Sequence, residues 1–349
     1  MKLVIQIPCY NEAETLPATL ADLPRRLDGI DEILILIIDD GSWDCTSEVA
    51  RAHGVDHIVR HTRNRGLARS FSTGLDASLG LGADIIVNTD GDNQYRGSCV
   101  KDLIKPILKG EADFVIGDRQ TQTIEHFAPM KKWLQRWGSF AVRQLSNTEA
   151  PDAVSGFRAL SREAALNINI VSSFSYTIET VIQAGSKRFA VKSVPIEINP
   201  KTRQSRLFRS IPEFLGRSAA TLIRMYAMYH PLRIYWSLGL ALGIAGSLPI
   251  LRFLYFYAIG EGGGRIQSLV LGGTSLVLSF LMFMIGLVAD LIASNRRLVE
   301  MCLTRLREME VKMDDVQLRS NLDQKSEIIG SANVDINADE ALNAAQERT

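Results

Sequence analysis

The chain has 349 residues, a hydrophobic fraction of 46%, and 39 Lys and Arg against 39 Asp and Glu. This composition excludes a chain that is mainly disordered, and the zero net charge argues against a protein that binds nucleic acid through bulk positive charge. The cysteines are scattered without a C-x-x-C pair, which argues against a zinc site or a disulfide framework and predicts a reducing compartment, with buried thiols at Cys9, Cys45, Cys99 and Cys302.

Short β-rich runs alternate with helical stretches from residue 3 onward. The first apolar run, Leu3 to Ile7, is too short for a signal peptide, so we expect the N-terminal half to be cytoplasmic. The predicted strands are Leu3–Ile7, Ile33–Ile38, His57–Arg60, Asp84–Asn88 and Asp113–Ile116. The predicted helices are Glu12–Leu27, Asp44–His53, Gly66–Leu79 and Ser98–Leu108. This alternation predicts an α/β domain with a mostly parallel sheet and helices on both faces.

Polar clusters follow four of these strands, where ligands of such sheets bind. Asp90 and Asp92 come directly after an apolar strand, and two carboxylates at this spacing can share Mg²⁺ or Mn²⁺ with phosphate oxygens. Such triplets also occur in ordinary turns, and Glu12 or Asp40 could serve only a helix terminus. The adjacent Asp39 and Asp40 nevertheless need cations or hydrogen-bond donors to offset their repulsion.

The C-terminal part of the chain is different in kind. Residues 234–260 carry one charge, Arg252, and residues 266–289 carry none, so both stretches are long enough to cross a bilayer. We therefore expect a hairpin of two transmembrane helices in the inner or plasma membrane. Basic residues before the hairpin and after it outnumber Arg265 in its turn, which predicts a cytoplasmic catalytic domain and tail. A buried helical hairpin in a soluble core is the alternative.

Three segments flank this hairpin. Residues 201–233 contain seven Lys and Arg, one acid and many apolar residues, as in a segment that lies among lipid headgroups. Residues 294–319 show apolar side chains at helical spacing, which predicts a cytoplasmic amphipathic helix at the membrane surface or between subunits and makes a homo-oligomer plausible. Residues 320–349 are polar and acidic, and we expect a disordered tail. We expect residues 1–200 to form the α/β domain.

The order and spacing of the motifs carry a specific resemblance. Pro-x-Tyr-Asn-Glu, Ile-x-Asp-Gly-Ser, Asp-Gly-Asp-Asn-Gln and Gly-Asp-Arg, with the long helix after Asn64-Arg65-Gly66, resemble family 2 glycosyltransferases with the Rossmann-like GT-A fold. The segments from Asp152 to Arg158 and from Pro195 to Leu207 resemble the branch that contains dolichyl-phosphate mannose synthases and bacterial polyprenyl-phosphate glycosyltransferases. The resemblance covers residues 1 to about 230, and the hairpin resembles the membrane anchor of some members.

The resemblance implies a set of site residues. Those expected at the nucleotide sugar are Pro8, Tyr10, Glu12, Ile38, Asp40, Gly91, Gln94 and Arg119. Those expected at the metal are Asp90, Asp92 and Gln94. Those expected at the lipid phosphate are Lys201, Arg203, Ser205 and Arg206. The catalytic candidates are Asp92, Asp152 and Arg206, with Ser155 and Arg158 shaping the pocket. Many relatives carry Ala at the position of Gly91 and Lys at that of Arg206, and neither difference removes a needed charge.

The resemblance implies a membrane-bound glycosyltransferase for a cell-envelope glycan. The expected reaction moves a sugar, with inversion, from a UDP- or GDP-linked donor to undecaprenyl or dolichyl phosphate, with Mg²⁺ or Mn²⁺ as cofactor. Two alternatives stay open from the sequence. One is a membrane-anchored glycosyltransferase that acts on a non-lipid acceptor, and the other is a non-catalytic scaffold that keeps the fold.

Overall fold

The computed structural model describes residues 1–120, 143, 148, 151–171, 176–200, 211–260 and 266–346, with side chains described outside 211–215, 217–218 and 314–346. A seven-stranded sheet with the order β3-β2-β1-β4-β6-β5-β7 forms the N-terminal domain. Its strands are β1 (Lys2–Cys9), β2 (Glu32–Asp39), β3 (His57–Arg60), β4 (Ile85–Asn88), β5 (Phe114–Asp118), β6 (Arg158–Ser161) and β7 (Val191–Pro195).

All neighbouring strands pair in parallel except β6, which runs antiparallel to both β4 and β5. The central strands are apolar on both faces because helices cover the sheet on each side, and Ile5, Ile37 and Val87 are fully buried. The five predicted strands are confirmed with small shifts at their ends. Strands β6 and β7 were not predicted because each is short and carries a charged residue, Arg158 or Lys192, in its run.

Six helices accompany the sheet in the described part of this domain. One face packs against α1 (Leu16–Asp22), α2 (Thr46–Ala52) and α4 (Val100–Leu108). The other packs against α3 (Leu67–Gly80), α5 (Arg162–Asn167) and α6 (Tyr176–Ser186). The predicted fold class is thereby confirmed. Helix α1 is shorter than expected because Pro24 follows it and disfavours helical backbone at Leu23.

Three long helices follow, namely α7 (Ile211–Tyr229), α8 (Pro231–Ala258) and α9 (Ile266–Gln346). By length and composition α8 and α9 could each cross a membrane, and only 11% and 17% of their most apolar stretches are buried. A hairpin in a soluble core would be mostly buried, so this exposure favours membrane association. The two helices pack closely through small residues, and the Ser279 hydroxyl donates a hydrogen bond to the Gly239 carbonyl at 2.7 Å.

Helix α9 differs from the sequence prediction beyond its apolar part. We expected a separate amphipathic helix over 294–319 and a disordered tail over 320–349, whereas one helix runs without a break from Ile266 to Gln346. The stretch contains no proline, and its C-terminal third contains five alanines, the residue with the strongest helix preference. The low hydrophobicity that suggested disorder does not oppose helical backbone.

The cysteine prediction is right for two thiols and wrong for two. Cys9 and Cys99 are buried, but Cys45 and Cys302 are exposed. Cys45 lies in the turn that opens α2, and Cys302 lies on an outward face of α9, so neither borders the core. Burial, reinforced by the neighbouring carboxylate of Glu12, raises the pKa of the Cys9 thiol, which therefore stays protonated.

Candidate active site

The polar clusters predicted after separate strands meet at one edge of the sheet. The carboxyl ends of β1, β2, β4 and β5 point to this edge because the strands are parallel. Strand β6 runs the other way, so the segment before it, residues 152–157, also enters here. The Gly117 amide donates to the Phe157 carbonyl at 2.9 Å and joins this segment to the end of β5.

The acidic loop, residues 89–94, rests on the loop that follows β1. The Gly91 carbonyl accepts hydrogen bonds from the hydroxyls of Thr15 at 2.9 Å and Thr19 at 3.1 Å, both in the segment that forms α1. A Cβ atom on Gly91 would lie 3.0 Å from Cys9 Sγ and 3.3 Å from Glu12 Cγ. The close approach of the two loops therefore favours glycine at position 91 of this chain.

Asp90 faces residue 156 of the incoming segment. A Cβ atom on Gly156 would lie 3.1 Å from both carboxylate oxygens of Asp90 and 3.1 Å from the Tyr176 hydroxyl, so glycine keeps space beside the carboxylate. Burial, with the charge of Asp90, raises the pKa of Tyr95 to about 12. Tyr95 is therefore a neutral hydrogen-bonding group at physiological pH.

The donor set of the acidic loop fits a hard divalent cation. Asp92 Oδ1 accepts a hydrogen bond from the Gln94 amide at 3.2 Å, which closes the loop and keeps Asp90, Asp92 and Gln94 on one short turn. Within the described ranges, no group of three or more His, Cys, Asp or Glu could hold a metal. Two carboxylates and an amide oxygen are instead the ligand set of a site that phosphate oxygens complete.

The carboxylates at the end of β2 are met by donors of the protein itself. Asp40 is buried and accepts hydrogen bonds from His61 Nδ1 at 2.7 Å and from the backbone amides of Arg65 at 2.9 Å and Gly66 at 2.8 Å. Burial would raise the pKa of Asp39, but hydrogen bonds from Ser42 and Ser47 outweigh it and lower that pKa. Asp40 thus orders the loop of residues 61–66 beside the predicted nucleoside site.

The other residues predicted at the nucleoside differ in how exposed their side chains are to solvent. Tyr10 is 37% exposed at the rim, whereas Glu12 is 8% exposed and has a carboxylate oxygen 2.9 Å from the Thr15 hydroxyl oxygen. Pro8 lies within β1, and the Ile38 side chain is fully buried in the core because it points to the inner face of β2. Tyr10 is therefore the side chain of this group that a base or ribose can most easily reach.

Arg119 and Asp152 form a partly buried, bidentate ion pair. Arg119 Nε donates to Asp152 Oδ2 at 2.7 Å, and Arg119 Nη2 donates to Asp152 Oδ1 at 2.9 Å. Burial alone would lower the pKa of Arg119, but the neighbouring Tyr95 and Asp152 raise it, so the guanidinium stays charged. The two residues were predicted for separate roles, and the structure brings them together. Asp152 holds the cation at the rim and is itself only 2% exposed.

Arg158 holds the segment of residues 152–157 in place from the interior of the domain. Its guanidinium is fully buried and donates to the carbonyls of Ser155 at 2.7 Å, Thr177 at 2.7 Å and Ala153 at 2.8 Å. Burial lowers the pKa of Arg158 to about 10, which still leaves it charged at neutral pH. Arg158 therefore fixes the backbone of this segment, which lies next to Asp90.

Sequence reasoning missed several supporting residues. Asn88 is fully buried at the end of β4, where its side-chain amide donates to the Gly156 carbonyl and the Tyr176 hydroxyl, both at 2.9 Å. The Tyr95 hydroxyl accepts a hydrogen bond from the Gly156 amide at 3.0 Å. Asn88 could have been found from the sequence, because it is a polar residue at the end of an otherwise apolar strand. A buried side-chain amide needs hydrogen-bond partners, so its position predicts contacts with other segments.

A second missed contact links the acidic loop to the segment after β7. The Asn199 backbone amide donates to the Gln94 carbonyl at 2.9 Å, and its side-chain amide donates to the Asn93 carbonyl at 3.0 Å. The residues predicted at the lipid phosphate follow directly in the chain and lie outside the described residues: Lys201, Arg203, Ser205 and Arg206.

Replacing Tyr95 with Phe is expected to destabilise the protein by about 1–3 kcal/mol, because the buried Gly156 amide loses its acceptor. Because the pKa of Tyr95 is raised in the folded protein, its contribution to stability also depends on pH. Stability from a neutral Tyr95 is complete below the ordinary pKa of 10.0 and is lost as pH rises through the folded pKa of about 12. Urea unfolding of wild type and Tyr95→Phe at pH 8 and at pH 11 measures both effects. A variant as stable as wild type at pH 8 would contradict the assigned contact.

Comparison with known proteins adds independent information. Residues 4–168 match the family described as Glycosyl transferase family 2. An uncharacterised protein of Methanocaldococcus jannaschii is 32% identical over 201 residues, covering 56% of this chain and 81% of that protein. The undecaprenyl-phosphate mannosyltransferase of Micrococcus luteus is 26% identical over 206 residues, covering 57% of this chain and 83% of that enzyme.

Solved structures support the same architecture. Glucosyl-3-phosphoglycerate synthase from Mycobacterium tuberculosis, in complex with Mn²⁺, UDP-glucose and phosphoglyceric acid, superposes with a TM-score of 0.52. It is 20% identical, and the match covers 65% of this chain and 80% of that one. At this identity the likeness concerns the fold.

Proposed function

The chain belongs to glycosyl transferase family 2, and from this membership we propose that it transfers a sugar from a UDP- or GDP-linked donor to a polyprenyl phosphate in the membrane. The GT-A domain and the two apolar helices agree with this class of enzyme. One observation carries the proposal. Asn199 fastens the segment after β7 to the acidic loop, so the chain passes directly from the predicted donor site into its most basic stretch and then into the apolar helices.

We assign the donor to the cleft between the loops after β1, β2 and β4. Tyr10, which is accessible at the rim, and the loop ordered by Asp40 would contact the nucleoside. Asp90, Asp92 and Gln94 would hold Mg²⁺ or Mn²⁺, which when bound neutralises charge on the departing diphosphate. Arg119 adds a fixed cation at the same edge, held by Asp152.

The acceptor would be oriented by Lys201, Arg203, Ser205 and Arg206. A phosphate monoester is already an anion at neutral pH, so its oxygen can attack the anomeric carbon while the bond to the diphosphate breaks with inversion. Such a nucleophile needs orientation more than deprotonation. The pairing of Asp152 with Arg119 agrees with this requirement, because the reaction needs no general base. We accordingly propose Asp152 as a positioning residue and Arg119 as the group that meets phosphate oxygens.

The proposed orientation puts the catalytic domain and the end of α9 on the cytoplasmic side. Support comes from the seven Lys and Arg of residues 201–233 and from Arg296 and Arg297 after the second apolar stretch, against a single Arg265 between the stretches. Both termini of the hairpin would then face nucleotide sugars made in the cytoplasm. Reaction of a cysteine introduced at position 262 with a membrane-impermeant reagent from outside the cell tests this topology.

Purified full-length chain in nanodiscs is expected to convert at least one labelled UDP- or GDP-sugar and undecaprenyl or dolichyl phosphate into a product that partitions into organic solvent. The reaction should require Mg²⁺ or Mn²⁺, and Arg206→Ala should lower the rate at limiting lipid by about tenfold or more, because a charge-assisted phosphate contact is lost. Arg233→Ala is the matched control, since Arg233 lies in the same basic stretch but outside the motif.

Two results would contradict the proposed acceptor. The first is transfer to a soluble acceptor with no organic-soluble product from any donor. The second is an equal effect of Arg206→Ala and Arg233→Ala on the apparent KM for lipid phosphate. Metal-dependent binding of UDP or GDP by calorimetry, measured in parallel, separates a wrong acceptor from a chain that binds no donor.

A further inference from the structure

The part of α9 beyond the apolar stretch packs one of its faces against the catalytic domain. Glu300 forms an ion pair with Lys187 at 3.1 Å, and Arg307 forms one with Asp76 at 3.3 Å. Val311, one helical turn further on, is buried in the core of that domain. This face of the helix is therefore covered by the protein itself.

The opposite face of the same helix is an exposed apolar stripe. Val299, Leu306, Met309 and Met313 are between 52% and 58% exposed, and Cys302 beside them is exposed as well. We call these five residues the α9 seam. Their spacing alternates between three and four residues over the whole length, which is the a and d pattern of a coiled coil.

Lipid cannot cover the α9 seam if the apolar stretch spans the bilayer. The helix continues from that stretch without a break and packs against the catalytic domain, so it leads away from the membrane surface. At 1.5 Å per residue, Val299 and Met313 lie about 15 and 36 Å further along the helix than Ala289. An amphipathic helix that binds a membrane lies in the interface plane, which this geometry does not allow.

We propose that the α9 seam pairs with the α9 seam of a second copy of this chain in a parallel, two-stranded coiled coil. Two copies inserted in one bilayer with the same orientation necessarily present their helices in parallel. In this register Arg305 occupies a g position and Glu310 the following e position, so Arg305 of one copy lies opposite Glu310 of the other with complementary charge. Both side chains are exposed in the single chain.

The same pattern continues toward the membrane, which supports one continuous interface. Leu281, Ile285, Val288 and Ile292 occupy earlier a and d positions and are all exposed. The d position between Ile292 and Val299 holds one polar residue, Asn295. The small residues of α9 that pack against α8 lie on the other side of the helix, as Ser279 does. Pairing through the α9 seam therefore disturbs neither the packing of α8 on α9 nor the packing of α9 on the catalytic domain.

Cysteine cross-linking of the full chain in nanodiscs or mild detergent tests the register. In a Cys45→Ser background Cys302 is the one exposed native thiol among the described residues, and it occupies a d position that faces its copy across the coiled-coil axis. Mild oxidation is expected to give a disulfide-linked dimer. The variant C45S/C302S/M301C is the matched control, because position 301 is equally exposed but points away from the axis. Equal cross-linking of the two proteins would overturn the proposal.

A second measurement does not depend on oxidation. Light scattering of the purified protein–detergent complex is expected to give a dimer for wild type and for Met301→Glu, and a monomer for Leu306→Glu, which places a charge in the α9 seam. Thermal unfolding of the three proteins checks that each is folded. A monomeric wild type, or a mass that Leu306→Glu leaves unchanged, would overturn the proposal.

Discussion

Asp92→Asn is expected to lower kcat by about 10²- to 10³-fold, which is the usual effect of losing one group that stabilises charge at the departing atoms. The change removes the charge and keeps the shape. Asn can still accept the hydrogen bond from the Gln94 amide that closes the acidic loop, so the backbone of residues 89–94 should hold. A loss of activity then reports the missing carboxylate charge.

The measurement combines rate and binding. Initial rates at saturating donor and lipid give kcat, and calorimetry with UDP and GDP, with and without Mn²⁺, shows whether metal still strengthens nucleotide binding. Asp102→Asn, an exposed acid at the start of α4, is the control and should match wild type. If Asp92→Asn kept both the rate and the metal effect within about twofold of wild type, the metal assignment to the acidic loop would be wrong.

Breaking the pair of Arg119 and Asp152 is expected to have the largest effect on stability. Arg119→Met leaves the buried Asp152 carboxylate without its cation and should cost about 3–5 kcal/mol. Asp152→Asn leaves a guanidinium that is only partly buried without its carboxylate and should cost less. The double variant Arg119→Met/Asp152→Asn should recover much of this stability, because no unpaired buried charge remains. Urea unfolding of the four proteins measures the coupling.

Activity separates the two roles that Asp152 could have. If Asp152 acts by holding Arg119, the rate of the double variant should equal that of Arg119→Met, about 10²-fold or more below wild type. If Asp152 contacts the sugar directly, the two losses should multiply, and the positioning role would be refuted. Arg162→Met is a control for the loss of a partly buried arginine, since Arg162 contacts the Ala83 carbonyl at the opposite edge of the sheet.

Much of this arrangement could be predicted from local sequence. Runs of Ile, Leu and Val bounded by polar turns define five strands, and the acidic and basic clusters at their ends define the candidate donor site, because parallel strands put their carboxyl ends at one edge. The two apolar stretches after residue 233 were equally clear, since length and lack of charge are properties of the chain itself. These features depend on neighbours within a few residues.

The partners of the charged groups could not be predicted. Asp40 was expected at the nucleoside, and the structure adds partners within the protein. Its carboxylate accepts hydrogen bonds from His61 and from the backbone amides of Arg65 and Gly66, which lie 25 and 26 residues later in the chain. Arg119 and Asp152, 33 residues apart, become a pair because β6 enters the sheet antiparallel between β4 and β5. That strand is too short and too polar to be recognised from its own residues.

The sequence by itself determined the family, the fold class, the candidate metal ligands and the apolar C-terminal helices. Each of these can be recognised from periodicity, composition or a contiguous motif. The tertiary structure decided which carboxylates already accept hydrogen bonds from the protein, that Asp152 pairs with Arg119, and that Asn199 contacts the acidic loop. It also decided that one face of α9 lies against the catalytic domain while its seam stays exposed. The physical reason is that hydrogen bonds and ion pairs form between groups distant in sequence, and only the path of the backbone sets which of them meet.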